Sequence, residues 1–141
     1  MKNETPYAHR VQYYETDQMG IAHHSNYIRW FEEARTDYLR RNEIVYHALE
    51  QAGIMIPVVR VSSRYIRPAR YDDVLHIETT LTGYNGVRLA LAYRVRNGAS
   101  GVLLAEGQSE HCFMDASRWR PVNLKKAQPE FSAKLERLLD R

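Results

Sequence analysis

The segment between residues 85 and 98 restricts the possible folds of this 141-residue chain more than any other. Asn85-Gly86 and Asn97-Gly98 stand at its two ends, and Asn-Gly is a strong hairpin signal because both residues tolerate positive φ. Apolar residues alternate with polar or small ones between these turns, which indicates a strand with one buried face. We therefore predict three antiparallel strands in series at about 74–84, 87–96 and 101–114, preceded by another at about 57–66. The predicted buried sets are Leu75, Ile77 and Leu81, then Val87, Leu89, Leu91, Tyr93 and Val95.

Helical spacing replaces this alternation near the N-terminus. A short strand is predicted at residues 9–14, and a long buried helix follows from Asn26, with Ser25 or His24 as its N-cap. A second helix over residues 43–52 ends at Gly53, which suits a left-handed C-cap. Pro129 opens a closing helix. The predicted apolar faces are Tyr27, Ile28, Trp30, Phe31, Ala34 and Tyr38 in the first helix, Val45, Ala48, Leu49 and Ala52 in the second, and Phe131, Leu135 and Leu138 in the last.

This order of elements predicts one α+β domain over residues 1–141, with a four-stranded antiparallel meander wrapped around the long apolar helix. Such a sheet has open edges, and Pro68 lies with several charged residues near one of them. Pairing of two edges would bury further surface, so we expect a homo-oligomer.

Composition narrows the class of protein. The 44% apolar and 26% charged content is typical of a folded domain, and no apolar run approaches the ~18 residues that span a bilayer. The first ten residues lack the apolar segment of a signal peptide, so we expect a cytoplasmic protein. Cys112 is the only cysteine, which excludes an intramolecular disulfide and a cysteine-rich metal site and fits a reducing compartment.

The basic residues are mostly arginine, sixteen against four lysines, at a net charge of +3. Arginine pairs with carboxylates and phosphates in a fork geometry, so this count favours an anionic ligand. An ordinary solvated surface explains most of it, and we favour that interpretation over a nucleic-acid-binding face.

Two stretches, "YYETDQMGIAHHSNYIRWFEEAR" and "VVRVSSRYIRPARYDDVLHIETTL", resemble hotdog-fold acyl-CoA thioesterases of the 4-hydroxybenzoyl-CoA thioesterase class, including those associated with the Tol-Pal envelope system. The resemblance covers roughly the first two thirds of the chain. It implies a helix inside a curled antiparallel sheet, dimers often paired into tetramers, and active sites shared between subunits. It also implies that Asp17, in the T-D-x-x-G motif, carries the hydrolysis.

The chemistry of a thioester agrees with that assignment. Hydrolysis needs a nucleophile or base and a donor for the oxyanion that develops. Asp17 can supply the first, Gly20 lets the backbone turn tightly, and the free N–H groups at the helix start near His24 can supply the second. Both a direct attack by Asp17 and a general-base role fit the sequence. Taken alone, Asp17 is more typical of a turn residue.

The histidines differ in expected role. The resemblance implies that His24 assists Asp17, although a helix cap is an equal alternative. We expect His23 to face elsewhere, because neighbouring helical residues diverge by about 100°, and we expect no metal at the pair. Ser25 and Cys112 lack the partners of a catalytic nucleophile and are rejected.

The predicted substrate contacts extend beyond the catalytic pair. Asn26 and Tyr27 match the family's Asn-Tyr pair, though Tyr27 suits the core and Asn26 a local backbone hydrogen bond. Arginines such as Arg60, Arg88, Arg94 or Arg96 could clamp the phosphates of coenzyme A, whereas Asp72 and Asp73 suit a turn. The full predicted substrate-binding set is Gly20, Ile21, Asn26, Tyr27, Val58, Arg60 and Arg88.

The sequence therefore predicts hydrolysis of acyl-CoA thioesters to a carboxylic acid and free CoA, with Asp17 central, His24 assisting, and no metal or redox cofactor. Two alternatives are a hotdog dehydratase of enoyl thioesters, whose N-P-x-H motif is missing here, and a non-catalytic acyl-thioester or anion-binding module. The acyl preference, and CoA against acyl carrier protein, depend on pocket walls that the sequence leaves open.

Overall fold

The computed structural model describes residues 5–139, so residues 1–4 and 140–141 of the predicted domain lie outside it. None of the helices in this range is long and apolar enough to cross a bilayer. The elements are β1 (Tyr7–Arg10), α1 (Ser25–Arg41), α2 (Tyr46–Gln51), β2 (Ile54–Met55), β3 (Val58–Tyr65), β4 (Val74–Tyr84), β5 (Arg88–Asn97), β6 (Leu103–Cys112), β7 (Met114–Asp115), α3 (Leu124–Ala127) and α4 (Pro129–Leu139).

Five strands form one antiparallel sheet in the spatial order β1-β4-β5-β6-β3, and β2 pairs with β7 in a separate ribbon. The predicted series of β4, β5 and β6 is confirmed. The prediction that β3 begins the same meander is wrong, because β3 pairs with β6 at the far edge. β1 occupies the side of β4 that β3 would have used, with Tyr7 opposite Ile77. Residues 66–73 connect β3 to β4 past the two strands that lie between them, a distance within the roughly 26 Å that eight extended residues can span.

The segment before the long helix differs from the predicted strand over residues 9–14. β1 ends at Arg10, and Tyr13–Glu15 form a single 3₁₀ turn. The Glu15 carboxylate accepts a hydrogen bond from the Gln12 N–H at 2.8 Å, which holds the turn closed. A side chain that bonds to nearby backbone groups competes with strand pairing, and here the turn is favoured.

Helix α1 buries Tyr27, Trp30, Phe31 and Ala34 as predicted. Ile28 was expected on this face, but its side chain is 48% exposed because it lies one residue, about 100°, away from Tyr27. His24, one of the two predicted N-cap residues, is the N-cap of α1, but its side chain makes no capping bond.

The smaller helices are less regular than predicted. α2 spans only Tyr46–Gln51, because Glu43 takes a left-handed φ of 63° and cannot begin a helix, and Leu49 is its buried residue. Gly53 has the predicted left-handed conformation, with φ 79°. α4 begins at Pro129 and buries Leu135 and Leu138, as predicted.

The turns at the two ends of β5 use their residues differently. At Asn85-Gly86 only Gly86 has positive φ, at 93°, while the Asn85 side chain accepts hydrogen bonds from the N–H groups of Val87 and Arg88. The second turn runs from Asn97 to Gly101, and Gly101, rather than the predicted Gly98, takes the positive φ of 77°.

Helix α1 packs directly on one face of the sheet, which we call the inner face. The Phe31 ring stacks on the Tyr93 ring, with centroids 4.6 Å apart and planes at 9°. Gly107 faces Tyr93 in the neighbouring strand, and a Cβ placed on it would lie 2.3 Å from Phe31 Cε2. The absence of a side chain at Gly107 therefore lets the helix approach the strand backbone.

A buried polar chain crosses the same face. Arg35 Nη1 donates to Tyr93 Oη at 3.1 Å, Tyr93 Oη lies 2.6 Å from Ser109 Oγ, and Ser109 Oγ lies 2.8 Å from His111 Nε2. His111 is 1% exposed. Burial, and secondarily the charge of Arg35, lower the pKa of His111 from 6.5 to about 4, so the imidazole is neutral at pH 7.

Candidate active site

A cavity of about 380 Å³ opens between the segment before α1 and the end of β3. Apolar and aromatic residues form most of its wall, and Asp17 and His24 also line it. An apolar hollow with a few polar groups is the usual form of a small-molecule site. Its lining residues are Asp17, Met19, Ile21, Ala22, His24, Tyr27, Tyr65, Ile66, Arg67 and Pro68.

Asp17 stands at the base of a tight loop. Its N–H donates to the Ile21 carbonyl at 3.0 Å, and its carbonyl accepts from the Gly20 N–H at 2.9 Å. Gly20 has a φ of 77°, a conformation that favours glycine. The Oδ1 atom of Asp17 accepts from the Met19 N–H at 2.9 Å, whereas Oδ2 has no hydrogen-bond partner within residues 5–139. Asp17 is thus both a turn residue and a wall of the cavity.

The backbone N–H groups around the start of α1 differ in whether they have an acceptor. The N–H of His23 donates to the Glu15 carbonyl at 2.8 Å, that of Asn26 to the His23 carbonyl at 3.1 Å, and that of Tyr27 to the His24 carbonyl at 3.3 Å. For the His24 N–H, the described part of the chain offers no acceptor. It lies at the N-terminus of a 17-residue helix, where the helix dipole favours negative charge.

The two histidine rings do not diverge as predicted. They stack with centroids 4.1 Å apart, because His23 precedes the helix and the 100° rule does not apply to it. His23 still does not line the cavity, and its Nδ1 lies 2.8 Å from the Ser25 hydroxyl. Between residues 5 and 139 no carboxylate bonds to His23, so this Ser–His contact lacks the third member of a triad. In the same range no three His, Cys, Asp or Glu side chains converge as a metal site would require.

Glu15 anchors the segment that carries Asp17, and the sequence did not predict this role. Its carboxylate, 6% exposed as a residue, accepts from His9 Nε2 at 2.9 Å, from the Gln12 N–H at 2.8 Å and from Trp30 Nε1 at 2.8 Å. Burial alone would raise the pKa of Glu15, but these hydrogen bonds outweigh it and hold the pKa below its ordinary value. A Trp on the predicted buried face needs an acceptor for its N–H, and that requirement could have pointed to Glu15.

The structure brings four of the nine predicted site residues to the cavity wall: Asp17, Ile21, His24 and Tyr27. Tyr27 is 3% exposed, and burial raises the pKa of its hydroxyl to about 12, which keeps it protonated. Gly20 shapes the loop behind Asp17 without lining the cavity. Asn26 does not line it either, because its amide donates to two backbone carbonyls, those of Glu15 and His23.

The remaining three predicted contacts lie elsewhere. Val58 lines a second cavity of about 280 Å³ between α1, α2 and the start of β3. Arg60 and Arg88 lie on the outer face of the sheet, away from α1, where Arg60 is opposite Glu110. On that face Arg96 Nε contacts Glu78 Oε1 at 2.6 Å, so glutamates partly balance its arginines.

The far wall of the cavity was not predicted. Tyr65, Ile66, Arg67 and Pro68 come from the second quoted stretch, which the sequence suggested only as a strand end near a sheet edge. Tyr65 also donates its hydroxyl hydrogen to the His24 carbonyl at 3.1 Å. The end of β3 and the start of α1 are therefore joined at the site.

Comparison with known proteins gives a consistent result. Residues 11–135 match the model of the thioesterase-like superfamily. The chain is 33% identical over 127 residues to a putative acyl-CoA thioesterase, YneP, of Bacillus subtilis strain 168, across 90% of this chain and 91% of that protein. It is also 33% identical over 118 residues to the acyl-CoA thioester hydrolase YbgC of Escherichia coli O157:H7, across 84% and 87%. Among solved structures, a DHNA-CoA thioesterase from Staphylococcus aureus superposes with a TM-score of 0.92 at 26% identity, across 96% and 91%.

Proposed function

The chain belongs to the thioesterase-like superfamily, and from that membership we propose that it hydrolyses acyl-CoA thioesters to a carboxylic acid and free CoA. It is a hydrolase of the thioesterase type on a hotdog α+β fold. One observation supports the site: Asp17 and His24, whose backbone N–H has no acceptor within residues 5–139, line the same cavity.

In the proposed reaction the thioester carbonyl lies between these two groups. The His24 N–H and the dipole of α1 stabilise the negative charge that develops on the carbonyl oxygen. As a general base, Asp17 takes a proton from water, the water oxygen bonds to the carbonyl carbon, and the carbon–sulfur bond breaks to release the CoA thiolate, which takes up the proton. As a nucleophile, Asp17 would first form a mixed anhydride with release of the thiolate, and water would then hydrolyse the anhydride. The proposed chemistry uses no metal or redox cofactor.

We also propose a homo-oligomer in which two β3 edges pair antiparallel. β3 runs from the second cavity, at Val58, to the catalytic cavity, at Tyr65. Antiparallel pairing of two such strands places the start of one beside the end of the other. Val58 and Arg60 would then lie near the cavity of the second subunit, which reconciles them with the predicted substrate contacts. We infer in addition that the sheet curls around α1; the cytoplasmic location stays a prediction.

The test is thiol release from a panel of short, long and aromatic acyl-CoAs by wild type, Asp17→Asn and Asp115→Asn. Asp115 is a matched control, because its Oδ1 accepts from the Ser117 N–H at 2.9 Å as Asp17 does from Met19, but in a turn outside the cavity. We expect Asp17→Asn to lower kcat by about 10²–10⁴-fold and Asp115→Asn to leave it within about twofold.

Equal activity of wild type and Asp17→Asn would reduce Asp17 to a turn residue and refute the mechanism. Saturable binding of acyl-CoA by wild type with no turnover on any member of the panel would instead favour the binding-module alternative.

A further inference from the structure

We propose that Asn26 is a positioning residue for the hydrolysis: it fixes the peptide group between His23 and His24 so that the His24 N–H points toward the thioester carbonyl. The inference rests on the proposed function and deepens it, because it assigns a role to a side chain that the cavity itself does not include.

Both hydrogen bonds to the His23 carbonyl come from Asn26. The Asn26 backbone N–H donates to it at 3.1 Å and the Asn26 Nδ2 donates to it at 3.0 Å. Two hydrogen bonds from one residue restrict the carbonyl more than one bond would, since rotation of the peptide plane breaks both.

Peptide geometry transmits this restriction to the donor. The peptide bonds in the described part of the chain are all trans. In a trans peptide the C=O and the N–H are coplanar and point in opposite directions. A carbonyl fixed toward Asn26 therefore directs the N–H of His24 away from Asn26, and no protein acceptor within residues 5–139 takes that N–H.

The same amide also connects the donor to the segment that carries Asp17. Asn26 Nδ2 donates its second hydrogen to the Glu15 carbonyl at 2.8 Å. Glu15 is itself anchored by His9, Gln12 and Trp30 and precedes Asp17 by two residues. The His23 N–H donates to the same Glu15 carbonyl at 2.8 Å, so the Asn26 amide and this backbone bond together hold the peptide that binds the oxyanion close to the segment that carries the carboxylate.

Asparagine is suited to this role because its amide nitrogen carries two hydrogens in a rigid plane. Alanine has no donor, serine has one on a shorter side chain, and aspartate would place an acceptor against two carbonyls. The next peptide group along the chain is held as well, because the Tyr65 hydroxyl donates to the His24 carbonyl at 3.1 Å. Both peptide groups that flank His24 are therefore oriented by side chains.

Asn42 provides a matched control at the other end of the same helix. Its Nδ2 donates to the Tyr38 carbonyl at 2.8 Å, which is the same kind of bond outside the cavity. We expect Asn26→Ala and Asn42→Ala to lower the unfolding midpoint to a similar extent. Asn26→Ala should also lower kcat by about 10–100-fold with KM within about threefold, because loss of a full oxyanion donor costs about 10²–10³-fold. Asn42→Ala should leave kcat unchanged.

A spectroscopic measurement isolates the orientation of the donor. In an Asp17→Asn background, a bound acyl-CoA persists long enough to record its thioester carbonyl stretch by infrared difference spectroscopy. We expect a shift to lower frequency on binding, and loss of most of that shift when Asn26→Ala is added. If Asn26→Ala folds poorly, Asn26→Ser serves in its place.

An unchanged carbonyl shift in the Asn26 variant, or a loss of kcat matched by Asn42→Ala, would overturn the positioning role. Failure of the proposed function is a different result, in which wild type releases no thiol and the Asp17→Asn protein shows no carbonyl shift at all; it would remove the inference as well.

Discussion

The close approach of α1 to the sheet at Gly107 leads to a quantitative prediction about Gly107→Ala. A Cβ at this position would lie 2.3 Å from Phe31 Cε2, 2.4 Å from Phe31 Cζ and 3.0 Å from the Ser62 carbonyl oxygen. Ordinary carbon–carbon contacts are about 3.5–4.0 Å. The Phe31 ring would therefore have to move by more than about 1 Å, away from its stacked position on Tyr93.

Overpacking of this kind costs about 1–3 kcal/mol in a core that cannot relax. The ring and its partner Tyr93 are each 1% exposed, so we expect a loss of stability near the upper end, about 3 kcal/mol. For a chain of this size that corresponds to a decrease in Tm of about 6–12 °C. Phe31→Leu removes the ring atoms that would clash with the new Cβ and should restore part of the loss, so the double variant should be more stable than the sum of the single effects predicts.

The assay is urea unfolding at one fixed protein concentration, with Gly83→Ala as the matched control. Gly83 lies in the same sheet, but a Cβ there meets only the Ala90 Cβ, at 3.5 Å, which is an ordinary contact. We expect Gly83→Ala to stay within about 0.5 kcal/mol of wild type. Equal unfolding midpoints for Gly107→Ala and Gly83→Ala would refute the idea that a missing side chain at Gly107 seats the helix.

Two further predictions concern pH and assembly. Folding lowers the pKa of His111 from 6.5 to about 4, so its contribution to the free energy of unfolding is complete above pH 6.5 and is lost as the pH falls toward 4, by roughly 3 kcal/mol in total. In His111→Gln the urea midpoint should therefore fall less steeply with decreasing pH than in wild type. Parallel plots of urea midpoint against pH for the two proteins would contradict this. Light scattering should give wild type a mass at least twice the 16.5 kDa of one chain, and Val59→Lys, at a β3 residue 49% exposed, should lower that mass; a monomeric wild type would contradict the edge pairing.

Local sequence patterns predicted each helix and strand better than they predicted which strands pair in the sheet. The alternation around Leu89 to Val95 and the Asn-Gly turns place β4, β5 and β6 correctly, since strand and turn preferences depend on adjacent residues. The place of β3 was wrong because nothing near Val61 indicates that β1 already occupies the free side of β4. Pairing between distant segments is a tertiary effect.

The residues of the candidate site likewise fall into two groups: those that a local pattern predicts and those that only the fold brings together. The loop of Asp17 and the free amide of His24 fall within one short segment, so a local reading finds them together. Tyr65 and Pro68 form the far wall but stand about forty residues later, and Glu15 acquires its role only when His9 and Trp30 meet its carboxylate. The one signal for Glu15 was indirect: the buried Trp30 N–H needs an acceptor, but only the fold shows that Glu15 supplies it.

The position of β1 in the sheet has a consequence for how the protein folds. Tyr7 is synthesised seventy residues before its partner Ile77, and Gly107, against which Phe31 packs, is synthesised later still. Chains dominated by such distant contacts fold slowly, on a millisecond to second scale. The loop of Asp17 lies between β1 and α1, so neither of its ends is fixed until the sheet has formed. Recovery of activity during refolding should therefore follow, and never precede, completion of the sheet.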